Sequence, residues 1–165
     1  MINVEPWEEL AEAENTYFAI RMRMFAAGAE TQLRKALATP RGRRTALRVL
    51  LEAPAELRMD LIEPVFEATL GSTAEVATAR AVLRLVDPGW LTMALRPLLL
   101  QRFSDSREPI DWSEYRRAAE LLGELGQPAL LGLLLSLGSE TDDPDVREVV
   151  DDFWNVAEHQ PDGRP

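Results

Sequence analysis

Apolar residues return along this chain in the spacing i, i+3, i+4, i+7, the footprint of one buried helix face. The quartet Ala46, Val49, Leu50 and Ala53 is followed by Ala79, Val82, Leu83 and Val86, then by Ala118, Leu121, Leu122 and Leu125, and last by Val146, Val149, Val150 and Phe153. Successive starts lie 33, 39 and 28 residues apart. A unit of that length is larger than one helix and smaller than a domain. The pattern therefore predicts a solenoid array, in which each helical pair buries its apolar face against the next.

Glycine and proline fall where such an array needs punctuation, and the stretches between them read as about eight helices and no strand. Pro6 opens the first, whose early turns carry Glu5, Glu8, Glu9 and Glu12, the sign favoured at the positive end of a helix dipole. Gly28 ends it, and a short helix follows from Glu30 to Ala38. Thr39-Pro40-Arg41-Gly42 reads as a turn before a helix over Arg43 to Glu52, and Pro54 then opens a helix to Leu70. Pro64 bends that helix or divides it in two. Ser72 with Glu75, and Asp111 with Glu114, have the spacing of capping boxes, and Asp87-Pro88 caps the helix that contains Pro97. Phe103 to Ile110 reads as a loop. Ala129 to Leu137, apolar nearly all round, is the helix expected to be most buried. Asp142, Asp143 and Asp145 flank the start of the last long helix, which ends near Glu158.

Arg117-Ala118-Ala119-Glu120-Leu121-Leu122-Gly123-Glu124-Leu125-Gly126 resembles the first helix and turn of a HEAT repeat, and so does Asp143-Pro144-Asp145-Val146-Arg147-Glu148-Val149-Val150. The resemblance is strong over residues 112–154, fair over 43–103 and weak before residue 40. It implies an all-α fold, a short right-handed superhelix of about four helical pairs, with first helices on the convex side and second helices lining the concave side. On this reading residues 1–160 form one domain: 1–39 are N-terminal capping helices, with Tyr17, Phe18, Met22 and Phe25 as the cap. Residues 40–103 hold two repeats, 111–159 hold the C-terminal repeats, and 160–165 are a disordered tail. HEAT-like folds serve mostly as binding surfaces, so the resemblance implies a partner without naming a reaction.

Composition narrows the function classes. The chain has 165 residues, 46% hydrophobic and 28% charged, in the ordinary globular range, so one folding unit is the default. No apolar run is long enough to span a bilayer and no secretory pattern opens the chain, which points to the cytosol and to no membrane partner. With no cysteine, disulfides and thiolate chemistry are excluded. The single histidine, His159, leaves no material for a Ser-His-Asp triad or a histidine-rich metal site. The Asp142, Asp143 and Asp145 cluster lacks calcium-loop spacing and reads as a helix cap. No phosphate loop is present either, so no catalytic residue, cofactor or metal is expected.

Charge is distributed unevenly. From Arg21 to Arg48 the chain holds eight basic residues against Glu30, whereas Glu140 to Asp162 holds nine acids against Arg147. Either the basic stretch grips a phosphate backbone or an acidic partner, with Arg41, Arg43 and Arg44 as its densest group, or those residues are solvated or pair with Glu5, Glu8, Glu9 and Glu12. A net charge of −10 argues against general nucleic-acid affinity and favours the second reading. Trp90 and Trp154 fall on apolar faces and read as core, whereas Trp7 and Trp112 stand at acidic helix starts and read as half covered. The expectation is a non-enzymatic module that binds another protein, a basic one for instance, through its second helices, with Arg58, Glu63, Glu67, Arg96, Gln101, Arg102 and Trp112 as candidate contacts. An immunity-type inhibitor of a basic bacterial toxin is the sharper form. The alternative is a nucleic-acid binder, related in architecture to HEAT-like DNA glycosylases, that uses residues 21–48.

Overall fold

Proline and capping side chains set where helices begin. The computed structural model describes residues 5–104 and 109–158, and among these ten helices form and no strand does. They are α1 (Pro6–Ala26), α2 (Ala29–Leu37), α3 (Pro40–Leu51), α4 (Ala55–Asp60), α5 (Ile62–Leu70), α6 (Val76–Arg84), α7 (Pro88–Phe103), α8 (Trp112–Glu124), α9 (Pro128–Ser139) and α10 (Pro144–Glu158). At the start of α7 the Asp87 carboxylate accepts from the Trp90 amide at 2.8 Å, and at α8 Asp111 accepts from the amides of Ser113 at 2.8 Å and Glu114 at 3.3 Å. Asp143 caps α10 in the same way, accepting from Asp145 at 2.9 Å, while Asp142 pairs with Arg147 at 3.1 Å. Each cap satisfies amides that the first helical turn leaves without partners.

Several local expectations are corrected. Thr39 to Gly42 is the first turn of α3 and not a separate turn: Pro40 occupies its first position and the Thr39 hydroxyl accepts from the Gly42 amide at 3.1 Å. The stretch from Pro54 to Leu70 is divided in two, as one of the expected outcomes, but the break falls at Leu61 between α4 and α5, and Pro64 lies in the first turn of α5, where a missing N–H costs nothing. The Ser72–Glu75 box does not form because α6 starts only at Val76, and Glu75 accepts locally from Thr73 and its own amide as well as from Arg44 at 3.3 Å. At α8 only half of the box forms: Asp111 accepts from the Glu114 amide, while the Glu114 carboxylate accepts from Arg102 at 3.0 Å.

The quartets are the core. Leu125 and Phe153 are half-buried against it, and the other members are all buried. Helices α3, α6, α8 and α10 carry these faces; α3 packs on α6 and α8 on α10, and Arg80 of α6 joins α8 through ion pairs to Glu120 at 3.4 Å and to Glu124. In turn α2 packs on α5, α5 on α7 and α7 on α9. Helix α5 also reaches α8 directly, and the Leu70 carbonyl at its end accepts from Arg117 at 2.5 Å.

The most buried helix is α5 and not the stretch in α9. Five of the nine residues of α5 are buried, against five of twelve in α9. Helix α5 is contacted by α2, α4, α6, α7 and α8 and keeps only the Glu63 and Glu67 side exposed, whereas α9 meets α7, α8 and α10, with Leu133 and Leu137 half-covered. The N-terminal cap is also smaller than expected. Met24 and Phe25 pack against the core, but Tyr17, Phe18 and Met22 are exposed. Trp154, expected in the core, is exposed, whereas Trp90 is half-buried against it. His159 and the 160–165 tail lie outside the described residues.

Candidate functional site

Helix periodicity places Glu63 and Glu67 one turn apart on α5, and on α7 Leu98, Gln101 and Arg102 share one side. Tertiary packing sets these two surfaces beside each other, with the approach to α8 closing one end. The result is a cleft of about 440 Å³, lined by Glu63, Glu67, Leu98, Gln101, Arg102 and Glu114, with Ile110 and Asp111 at its edge. A second cleft of about 410 Å³ shares Glu63 and Glu67 and continues past Pro64 to Arg34, Leu37 and Arg43 of α2 and α3. Together they make one groove across the α2, α5 and α7 surface.

The basic groups of this groove are engaged by the protein itself. Arg34 donates to the Asp60 carbonyl at 2.7 Å and to Glu30 at 3.0 Å, and lies 3.9 Å from Glu63. Arg43 donates to the Leu37 carbonyl at 3.0 Å, closing the end of α2, and Arg102 is held by Glu114. Glu67 differs: among the described residues its carboxylate accepts no hydrogen bond. Desolvation by the cleft walls raises its pKa first, Glu114 and Glu63 push the same way, and Arg102 opposes them. Asp111 moves in the other direction, held below the usual carboxylate range by the Ser113 hydroxyl and amide.

Glu67 gives the fold a pH signature. A carboxyl whose folded-state pKa is raised favours the native state below its unfolded value of 4.5, and that contribution is lost as pH rises through the folded value. Glu67→Gln is therefore expected to gain stability relative to the parent protein at neutral pH, by less than about 1 kcal/mol because the site is partly open to water, with the advantage vanishing toward pH 4. Urea titrations of both proteins at the two pH values measure it; a gain of equal size at both removes the assigned cause.

Of the residues proposed from sequence as contacts, Glu63, Glu67, Gln101 and Arg102 converge on the groove. Arg58 does not: it donates to the carbonyls of Ala53 at 2.7 Å and Leu50 at 3.4 Å and closes the end of α3. Arg96 is exposed on α7 away from the groove lining, and Trp112 is exposed at the start of α8, next to Asp111. Arg41, Arg43 and Arg44 do not form a cluster, since Arg43 faces Leu37, Arg44 pairs with Glu75 at 3.3 Å, and Arg41 is exposed. The expected pairing of the basic stretch with Glu5, Glu8, Glu9 and Glu12 is replaced, among the described residues, by pairing with Glu52, Glu30, Glu63 and Glu75. Arg34, Leu98, Ile110 and Glu114 were not legible as site residues, because they meet only through packing of distant helices.

No family model, curated protein or solved structure matches the chain. The likeness to HEAT repeats therefore rests on the sequence motifs alone. Among the described residues no group of three or more His, Asp or Glu side chains is placed to hold a metal ion, and no helix is long and apolar enough to cross a membrane.

Proposed function

We infer that this protein is a non-enzymatic interaction module that receives a basic segment of a partner protein in the groove between α5 and α7. The observation that carries this reading is Glu67, a partly desolvated carboxylate beside Glu63 and Glu114, only partly offset by Arg102 and accepting no hydrogen bond among the described residues. A Lys or Arg head group entering there relieves that crowding, while its methylene stem lies along Leu98 and Ile110. The chain's net charge of −10 draws a basic partner from a distance.

We read the helices as a short right-handed HEAT-like superhelix in which α5, α7 and α9 line the binding side. Support comes from the runs of neighbours, α3 with α6, α8 with α10, and α2, α5, α7 and α9 in turn. An immunity-type inhibitor that covers a basic toxin is the particular form we favour. The nucleic-acid alternative draws less support, since Arg43 and Arg44 direct guanidinium donors to Leu37 and Glu75.

Capture from native-host extract, at low and high salt, tests the reading. Wild-type protein is expected to retain a basic protein at low salt and release it at high salt, and Glu63→Arg/Glu67→Arg is expected to retain none while keeping its helical circular dichroism. A partner held equally by the charge-reversed protein, no partner at either salt, or recovery of duplex nucleic acid instead would each overturn it.

A further inference from the structure

Helix α1 carries an apolar face that the described residues leave open. It is 21 residues long and none of its residues is buried. Only its last turns dock: Met24 and Phe25 pack against the core, and Arg21 pairs with Glu52 while lying over the rings of Tyr17 at 5.7 Å and Phe18 at 5.2 Å. At about 100° per residue, Arg21, Met24 and Phe25 define one arc of the helix, and Trp7, Leu10 and Tyr17 fall inside the same arc with Phe18 beside it. The docked face thus continues, uncovered, to the other end of α1. Trp7 is 67% exposed, Leu10 61% and Phe18 55%.

Two features say what covers it. Tyr17 overhangs a cleft of about 510 Å³ whose other walls are Thr45, Arg48, Leu51 and Glu52 of α3 and its end, and α1 projects about 15 Å beyond Tyr17 to Trp7. The projecting half is acidic, with Glu8, Glu9, Glu12 and Glu14 and no base, and Glu14 lies within the apolar arc itself. The exposed ridge of α3 is basic, with Arg41, Arg44 and Arg48. Among the described residues no ion pair joins these acids to these bases within one chain.

We propose that the protein forms a two-fold dimer in which the projecting half of α1 from each copy lies across the α1–α3 cleft of the other. Trp7 and Leu10 then cover Tyr17 and Leu51, and Glu14 meets Arg48 of the second copy. One contact made twice closes the assembly. At about 150–250 Å² for a buried aromatic, the exposed parts of Trp7, Leu10, Tyr17 and Phe18 supply several hundred Å² per copy, which approaches the ~800 Å² of a standard interface. This face is separate from the α5–α7 groove, so it stands or falls independently of the proposed partner.

Sedimentation equilibrium of the full chain over a dilution series tests it. The wild-type protein is expected at twice its 18.5 kDa monomer mass, with Trp7→Glu/Leu10→Glu weakening association by about a hundredfold or more and leaving helicity intact, as exposed positions allow. Arg48→Glu alone is expected to weaken the dimer, and adding Glu14→Arg to restore it. A monomer at every concentration, a dimer indifferent to Trp7→Glu/Leu10→Glu, or a charge swap that restores nothing would overturn the proposal.

Discussion

Replacing Gly138 by alanine is expected to destabilise the protein by about 3 kcal/mol, lowering the melting temperature by roughly 6–12 °C in a chain of this size. A methyl group at this position would stand 2.2 Å from the Tyr115 hydroxyl, 2.6 Å from its Cζ and 2.8 Å from Cγ2 of Val150. None of these atoms has room to retreat. Tyr115 is fully buried; its hydroxyl donates to the Leu134 carbonyl at 2.6 Å, and its ring meets Phe103 edge-on at 5.6 Å. Burial also raises the phenol pKa far above its ordinary value, so the ring stays neutral and the hydroxyl remains a donor. The close approach of α8, α9 and α10 therefore depends on the missing side chain. A double-mutant cycle isolates the cause: Tyr115→Phe, which removes the nearest atom, is expected to cost less in the Gly138→Ala background than in the parent. Strict additivity of the two changes would show that the clash is not what destabilises the variant.

Phe66→Ala is expected to cost about 3–5 kcal/mol, a large share of the ~5–15 kcal/mol that holds a domain folded. Phe66 is fully buried on the inner side of α5, the helix that touches five others. Removing its ring leaves a cavity that helices held by several neighbours cannot readily collapse into. The comparison is Leu133→Ala in the more apolar α9, where the side chain is only partly covered and the expected loss is well under that of Phe66. Chemical denaturation of the two variants measures the difference directly. A larger loss at Leu133 would place the centre of the core in α9, where hydrophobicity alone puts it.

That contrast shows why some features were legible in the chain and others were not. The buried faces of α3, α6, α8 and α10 were readable because burial there follows the helical period, and sixteen residues with the right spacing supply their own redundancy. Asp87, Asp111 and Asp143 were readable as caps because a cap acts within three residues of itself. The partners of Glu75 and Glu114 were not. Arg44 and Arg102 come from 31 and 12 residues away, and nothing in the local spacing announces them.

The candidate groove divides in the same way. Glu63 and Glu67, or Gln101 and Arg102, are recognisable on one helix as exposed polar groups on an otherwise apolar element. That the two pairs face one another, with Glu67 left without a hydrogen bond among the described residues, follows from the contact of α5 with α7. Arg58 is the converse case: its sequence position suggests a surface cation, and packing turns it onto the carbonyls of Leu50 and Ala53 at the end of α3.

What the sequence determined by itself is the all-helical class, most helix starts and the set of residues that must leave water, since these depend on interactions within a turn or two of chain. Tertiary structure alone decided which helix lies at the centre, which arginines are spent on the protein itself and which acids share a groove, and that α1 projects with its apolar face open. Those outcomes depend on contacts between segments tens of residues apart, and no local periodicity encodes the geometry with which one helix meets another.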